Sequence, residues 1–566
     1  MHFKKIAVKF TSLCLVLGMV VSMSACGNGK SSSESSNSAS STSTVATEVS
    51  SSNEGSGEVD YSKFKDVTLK YWTQFSSTYI KSLAENLVFQ ELEKKTNIKV
   101  EFINPPVGQE NESYNLLIAS GDLPDIIDDE GRYPGGGSKA IADGVYVKLN
   151  DYIDKYAPNY KKAMSANESI ARQTKEDDGS IWSFQMIQLD QEPAWAGPNI
   201  RQDYLDEVGL KAPTSIDEWH TVLTAFKDKL SVESPLQHYM DWGLESAGGG
   251  FLGTFGAAAG FMVKDGKIVY GSIGEGYKNY LTTMNQWYKE GLIDKDFATR
   301  DYPSIDADFT SGKAGANTVS AYGGYDKYIA GGKAINPNYD ITPCLYPTLN
   351  TGDDQSTIHY RQTNDYVRGQ NRAITTSCEN IEAAVRWLDY AYSDEGFMLF
   401  NYGVEGQTYN WVDGAVDEAG GKTFFPEGLQ SKIATQHPEF TELMTKNPDG
   451  VDFWTAVDKY KVHQGPYLRN PMAYVMSDKA IQAMETWSKA GSDYVLPPVT
   501  LTDEESKQKA EIMTQIDTYR REMIVAFIMG AEPLSNYEKY EEQIKKMGLD
   551  TMIKIYQDAY DRYINR

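Results

Sequence analysis

Between Val67 and Ile103 the chain carries a strand, a helix and a second strand, and that order restricts what it can fold into. Val67-Thr68-Leu69-Lys70-Tyr71-Trp72 alternates with the period of a half-buried strand, Ser82 to Thr96 places Leu83, Leu87 and Leu92 at helical spacing, and Lys99 to Ile103 returns to strand. Two strands joined through a helix pair in parallel with a right-handed crossover. The sequence therefore predicts an α/β fold around an open sheet, whose ligands bind beyond the carboxyl ends of the strands.

The first 58 residues stand outside that pattern. Lys4, Lys5 and Lys9 precede an apolar run from Leu13 to Met23, which ends in Met23-Ser24-Ala25-Cys26. A basic flank, an apolar stretch too short for a stable membrane span and small residues before a cut mark an export signal. The cysteine directly after the small residues resembles the lipobox of bacterial lipoproteins, which implies lipid on mature Cys26; a plain signal peptide with an incidental cysteine is the alternative. From Gly27 to Glu58 the chain is nearly all Ser, Gly, Thr, Asn and Glu, too polar to bury a core. As a flexible coil of about 32 residues it would reach roughly 30 Å, which makes it a tether.

Removing residues 1–25, with three lysines and no acids, takes the net charge from −25 to −28. A surface so acidic is a poor partner for nucleic acid or anionic headgroups. Of four cysteines, Cys14 leaves with the signal and Cys26 takes lipid, leaving Cys344 and Cys378 in an oxidising compartment; one disulfide and two buried thiols both fit. None of the six histidines are spaced as a metal pair, so neither a metal site nor a cofactor is predicted. There is no Gly-x-Ser-x-Gly and no His-Glu-x-x-His, and Gly331-Gly332-Lys333-Ala334 lacks the hydroxyl residue of a phosphate loop. The remaining chain of about 508 residues is too long for one core and natural for two lobes.

In Ala119-Ser120-Gly121-Asp122-Leu123-Pro124-Asp125-Ile126-Ile127, a turn at Gly121 and Pro124 feeds a buried strand and aims Asp128, Asp129, Glu130 and Arg132 at its end. This stretch is similar to the SGDLPDI signature of the extracellular solute-binding lipoproteins (family 1) of carbohydrate ABC importers. The resemblance continues through Asn199 to Leu210, Pro213 to Trp219, Trp287 to Asp294 and Phe309 to Gly315. Trp387 to Gly396, Gly403 to Tyr409, and the tail from Phe527-Ile528-Met529-Gly530 to Tyr560 bring it nearest to the oligosaccharide-binding branch of the LipO type. Read without the family, Asn536 to Tyr563 is an amphipathic helix pair broken at Gly548. Some relatives carry an acidic calcium loop after the helix ending near Lys229; here Leu230-Ser231-Val232-Glu233-Ser234-Pro235-Leu236 has one carboxylate and a proline, so no calcium is predicted. Glu176-Asp177-Asp178-Gly179 has the charge but reads as a β-turn.

The resemblance implies a two-lobed, periplasmic-binding-protein-like fold of type II, with hinge crossovers and a cleft between the lobes. The N-lobe is expected at 59–186 plus 370–425 and the C-lobe at 187–369 plus 426–566. It also implies a monomer, held through its lipid anchor at the outer face of a Gram-positive cell membrane, that delivers a sugar or oligosaccharide to separate permease subunits. A ligand closes two lobes only by contacting both.

A pyranose has apolar faces and a hydroxyl rim, so it calls for aromatic rings to stack on and carboxylates, amides or Arg at the edge. Aromatic residues in polar or glycine-rich loops are the candidates: Trp72 with Gln74, Trp195, Trp242, Phe251 and Tyr322, each of which fits a core edge as well as a cleft. Asp129, Glu130 and Arg132 join them, with a solvated turn as the alternative. Arg201, Arg361, Tyr366 and Glu405 follow from the family; Arg361 with Arg368 would also suit a uronate carboxylate. A secreted glycoside hydrolase with paired carboxylates, a peptide-binding protein and a surface adhesin are the rival readings.

Overall fold

A computed structural model of the chain describes residues 59–77, 80–189, 193–238, 240, 242–322, 324–404, 467–468 and 478–566. Its first sheet opens with the two strands read from the sequence, β1 (Thr68–Trp72) and β2 (Lys99–Ile103), paired in parallel from Thr68↔Lys99 to Trp72↔Ile103. Between them the expected single helix is broken. A turn of 3-10 helix at Leu83–Glu85 stops at Asn86, whose extended backbone and side-chain carbonyl cap the helix Leu87–Thr96 through the Val88 N–H at 2.9 Å. β3 (Ile126–Asp128), fully buried, follows the Gly121 turn, where φ is +70°, and pairs in parallel with β1.

The remaining strands are β4 (Ser183–Gln188), β5 (Ala196–Arg201), β6 (Ser234–Gln237), the hairpin β7 (Phe261–Lys264) and β8 (Lys267–Tyr270), β9 (Ala314–Ser320), β10 (Ile341–Pro343), β11 (Val367–Ile374) and β12 (Tyr467–Leu468). The first sheet has the order β12-β4-β11-β3-β1-β2, and the second the order β10-β5-β9-β6. Each is packed by its own hydrophobic core: Leu69, Ile126, Phe184, Ile374 and Trp387 belong to one, and Ile200, Trp219, Leu236, Trp287 and Phe527 to the other. The chain passes from the first sheet to the second after Gln188 and back again between Pro343 and Val367. Tyr467–Leu468 pairs with β4 in the first sheet, although it falls in the range expected for the C-lobe.

Strand direction decides where these crossings lie. β11 runs antiparallel to both β3 and β4, so β4 runs with β1 and β3, and all three end at the edge from which the chain leaves for the second sheet. In the second sheet β9 is antiparallel to β5 and parallel to β6, so the carboxyl ends of β6 and β9 lie beside the start of β5, where the chain arrives. Both sets of strand ends thus border the two crossings. This is the position a ligand cleft takes in open α/β sheets.

The C-terminal helices are Tyr537–Lys546 and Leu549–Ile564, separated at Gly548 with φ +106°, as the sequence predicts. Their far end returns to the first half of the chain. Arg562 donates to Asp177 at 2.7 Å and to Glu505 at 2.6 Å, while Arg566 donates to Asp177 at 2.8 Å and to the Lys175 carbonyl at 2.9 Å. The turn Glu176–Gly179 is closed by the Gly179 N–H donating to the Glu176 carbonyl, so this acidic turn is the docking point for two arginines. Leu230 ends a helix, and the segment after it enters β6. Cys344 and Cys378 are free thiols, buried in different cores, and burial pushes Cys378 up to about 12.

Candidate functional site

Three of the expected aromatic residues come together at the carboxyl ends of the second sheet. Trp195 stands just before β5 and its carbonyl accepts from the Ala321 N–H at 2.8 Å, which brings Tyr322 alongside. Trp242 follows β6, and its indole N–H donates to the Thr318 carbonyl of β9 at 3.0 Å. The Trp195 ring lies 5.6 Å from Trp242 and 6.3 Å from Tyr322, tilted by 32° and 29°, and Tyr302 meets Trp242 edge-on at 6.4 Å. All three expected rings are half-buried, whereas Trp219 and Trp287 are shut in the core below. The loop that carries Trp242 is folded tightly: a Cβ at Gly249 would stand 1.6 Å from the Gly243 carbonyl oxygen, so only glycine fits. The result is a cluster of half-buried rings tilted by 29–32° to one another, and aromatic rings are the groups on which a sugar's C–H face can stack.

The first sheet contributes a cavity of about 140 Å³ beneath the ends of β1 and β3. Alternation along a strand sends successive side chains to opposite faces, and it separates Tyr71, Thr73 and Asp128 from Trp72 and Asp129. The first set lines the cavity together with Gln74, Glu130 and Arg372. Arg372 stands directly opposite Asp128 across the β11–β3 pair and donates to the Tyr71 hydroxyl at 3.1 Å. Thr73 donates to Asp128 Oδ2 at 3.1 Å, while Asp128 Oδ1 is buried with no hydrogen-bond partner. Burial pushes the Asp128 carboxyl above the ordinary carboxylate range, with the Arg372 guanidinium pulling against it. At the rim, Gln74 donates to Glu130 at 2.8 Å and Arg132 to the same carboxylate at 3.0 Å.

Trp72, Asp129, Arg201, Phe251 and Arg361 lie in the interior. Trp72, 3% exposed, packs edge-on against Tyr114, and Asp129, 1% exposed, accepts from the Arg132 and Tyr133 N–H groups and so holds its own turn. Burial raises the Asp129 carboxyl as well. Arg201 is buried between the rings of Tyr204 and Tyr339, at 3.9 and 4.1 Å, and donates twice to Asp203. Phe251 sits edge-on to Trp219 and Trp287 in the second core. Arg361 spends its Nε on the Ala490 carbonyl and its Nη1 on that of Gln362, both at 2.7 Å, so it does not form an open fork with Arg368, which donates to Gln188. Tyr366 is half-buried against the first core. Glu405 and Cys26 lie outside the described residues. Sequence reasoning placed Asp128 at the strand's end without making it a candidate and passed over Tyr71 and Arg372; the period of β1 held the signal, since taking Tyr71 as the cavity-side residue instead of Trp72 carries Asp128 with it.

Comparison with known proteins follows the same lines. Residues 76–396, more than half of the chain, match the family described as bacterial extracellular solute-binding protein. The fructooligosaccharide ABC transporter substrate-binding protein FusA of Streptococcus pneumoniae serotype 4 is 25% identical over 528 residues, covering 88% of this chain and 90% of that protein. Lipoprotein LipO of Bacillus subtilis is 26% identical over 331 residues, 57% of this chain and 64% of its own. Among solved structures, an HMO-binding, ABC-transporter-associated solute-binding protein from Bifidobacterium longum infantis superposes with a TM-score of 0.69 at 17% identity, covering 88% of this chain and 99% of its own. Alginate-binding protein AlgQ2 does so with 0.63 at 23% identity, covering 88% and 98%. These likenesses show the fold, a two-lobed α/β solute-binding architecture.

Proposed function

Since the chain belongs to the bacterial extracellular solute-binding protein family, we propose that it is the substrate-binding component of an ABC importer that captures an oligosaccharide between its two lobes and passes it, chemically unchanged, to a membrane permease. The observation that carries this reading is the shelf of Trp195, Trp242 and Tyr322, gathered from three separate segments at the strand ends that border the crossings. Gln74, Glu130 and Arg132 from the first sheet would supply the polar edge. The relatives whose names specify oligosaccharides or polysaccharides support the ligand class. The chain crosses between the two sheets after Gln188 and again between Pro343 and Val367, and backbone positions at these crossings would absorb closure.

The anchor belongs to the same reading. A lipid on Cys26 followed by a polar tether would keep the body beside its permease on the outer face of a Gram-positive cell. No helix among the described residues is long and apolar enough to cross a membrane. Cys26→Ala is expected to abolish metabolic labelling with a radioactive fatty acid and to release the protein to the medium or leave it unprocessed. A variant still labelled and fully retained would rule out lipidation at this residue.

The ligand class is tested by thermal shift of the mature protein with maltotriose, cellotriose, xylotriose, mannotriose, kestose and trigalacturonate, with chromatography of each glycan afterwards. Binding to the native state raises the melting temperature. A saturable rise with intact glycan is expected; cleavage of the glycan would point to a hydrolase, and no rise across the panel would remove the sugar reading.

A further inference from the structure

We propose that His238 is a positioning residue for Trp242, setting the angle at which that ring meets a ligand by way of Thr318 and Gly243; the inference rests on the sugar-binding reading above. His238 directly follows β6 and is fully buried, so no ligand touches it. It reaches the loop that carries Trp242 by two routes.

The first is a hydrogen-bonded chain through β9. The Thr318 carbonyl accepts the Trp242 indole N–H at 3.0 Å, and the Thr318 hydroxyl oxygen lies 3.1 Å from His238 Nε2. The other ring nitrogen, Nδ1, is buried with no hydrogen-bond partner. A neutral imidazole has one donor and one acceptor, and an unmade buried donor is costly, so the proton belongs on Nε2 and is donated to Thr318. Thr318 thus holds the indole by its main chain and the imidazole by its side chain. Burial pushes His238 down to about 3, so the ring stays neutral through the range in which a free histidine changes charge.

The second route is packing. A Cβ at Gly243, the residue after Trp242, would stand 2.6 Å from His238 Cγ, and its φ is +128°. Only glycine fits there, so the backbone beside Trp242 sits directly against the imidazole. Phe251 of the second core meets the same ring at 5.7 Å and 61°, which joins the loop to the core through His238. Gly249 closes on the Gly243 carbonyl in turn, so a shift of the imidazole is passed to the whole turn. A histidine that serves packing alone would affect stability; one that aims an indole affects affinity only while the indole is there.

That difference is the test, read by calorimetric titration of the mature protein with the tightest-binding member of the panel named above. Thr318→Val removes the hydroxyl that receives the His238 proton and keeps the branched shape and the carbonyl; Thr318→Ser restores the hydroxyl. His238→Ala and Thr318→Val are each expected to lower affinity at least fivefold, and Thr318→Ser to stay within twofold of the parent. In a Trp242→Ala background the same His238→Ala change is expected to cost less than twofold, because the ring it aims is gone. If His238→Ala fails to fold, the two Thr318 variants in both backgrounds decide the matter. Folded variants within twofold of the parent, equal losses with and without Trp242, or parent affinity in Trp242→Ala itself would overturn the positioning role while leaving sugar binding intact. A parent protein that binds no member of the panel would overturn both.

Discussion

Arg520→Ala is expected to destabilise the mature protein by about 3–5 kcal/mol, the loss typical when one partner of a buried ion pair is removed. Arg520 lies on the helix Asp503–Met529, 10% exposed at its side chain, and pairs with Glu245, 5% exposed. Glu245 also accepts from the Tyr277 hydroxyl, so it is satisfied from two elements at once. Removing the guanidinium strands the buried carboxylate of Glu245, three residues after Trp242 in the same loop. Urea unfolding measures the loss. Replacing both partners, Glu245→Leu with Arg520→Met, is expected to restore part of it, because it leaves neither charge buried. A loss under about 1 kcal/mol for the single variant would show that water reaches the pair and screens it.

The second large effect is on binding. Trp242→Ala is expected to weaken glycan affinity by about 1–3 kcal/mol, a stacking-sized loss by analogy with bases on aromatic side chains, or about 5- to 150-fold. Trp195→Ala should fall in the same range. The two rings are 5.6 Å apart, so the double variant should lose less than the sum of the singles, since each truncation already loosens the other ring. Trp242→Phe keeps a stacking face and should retain most of the affinity. Unchanged affinity for Trp242→Ala in a folded protein would mean that the ring serves packing alone, through its bond to the Thr318 carbonyl.

Much of this architecture was readable residue by residue. The strands at Val67–Trp72 and Lys99–Ile103, the turn at Gly121 and the break at Gly548 all follow from periods and turn residues that act within a few positions. The aromatic shelf was half legible. Glycine-rich and polar surroundings singled out Trp195, Trp242 and Tyr322, but the same signal also selected Phe251, which is a core residue. No local pattern separates them, because a tight loop presents an aromatic ring inward as readily as outward. Arg201 is similar: a charged residue at the end of a strand reads as exposed until Tyr204, Tyr339 and Asp203 enclose it.

The choice between Asp128 and Asp129 illustrates the boundary. Residue order alone predicts that four polar residues follow a buried strand, and alternation requires neighbours to point apart. Which of them meets a cavity depends on Arg372, which follows Asp128 by more than two hundred residues, and on Trp387 from a helix further on. The seating of Arg562 and Arg566 on Asp177 is of the same kind. Strand period and turn chemistry are properties of neighbours in the chain, so they survive without a fold. Burial, charge pairing and the meeting of rings from separate segments exist only after distant residues are brought together, and those are the properties on which ligand capture depends.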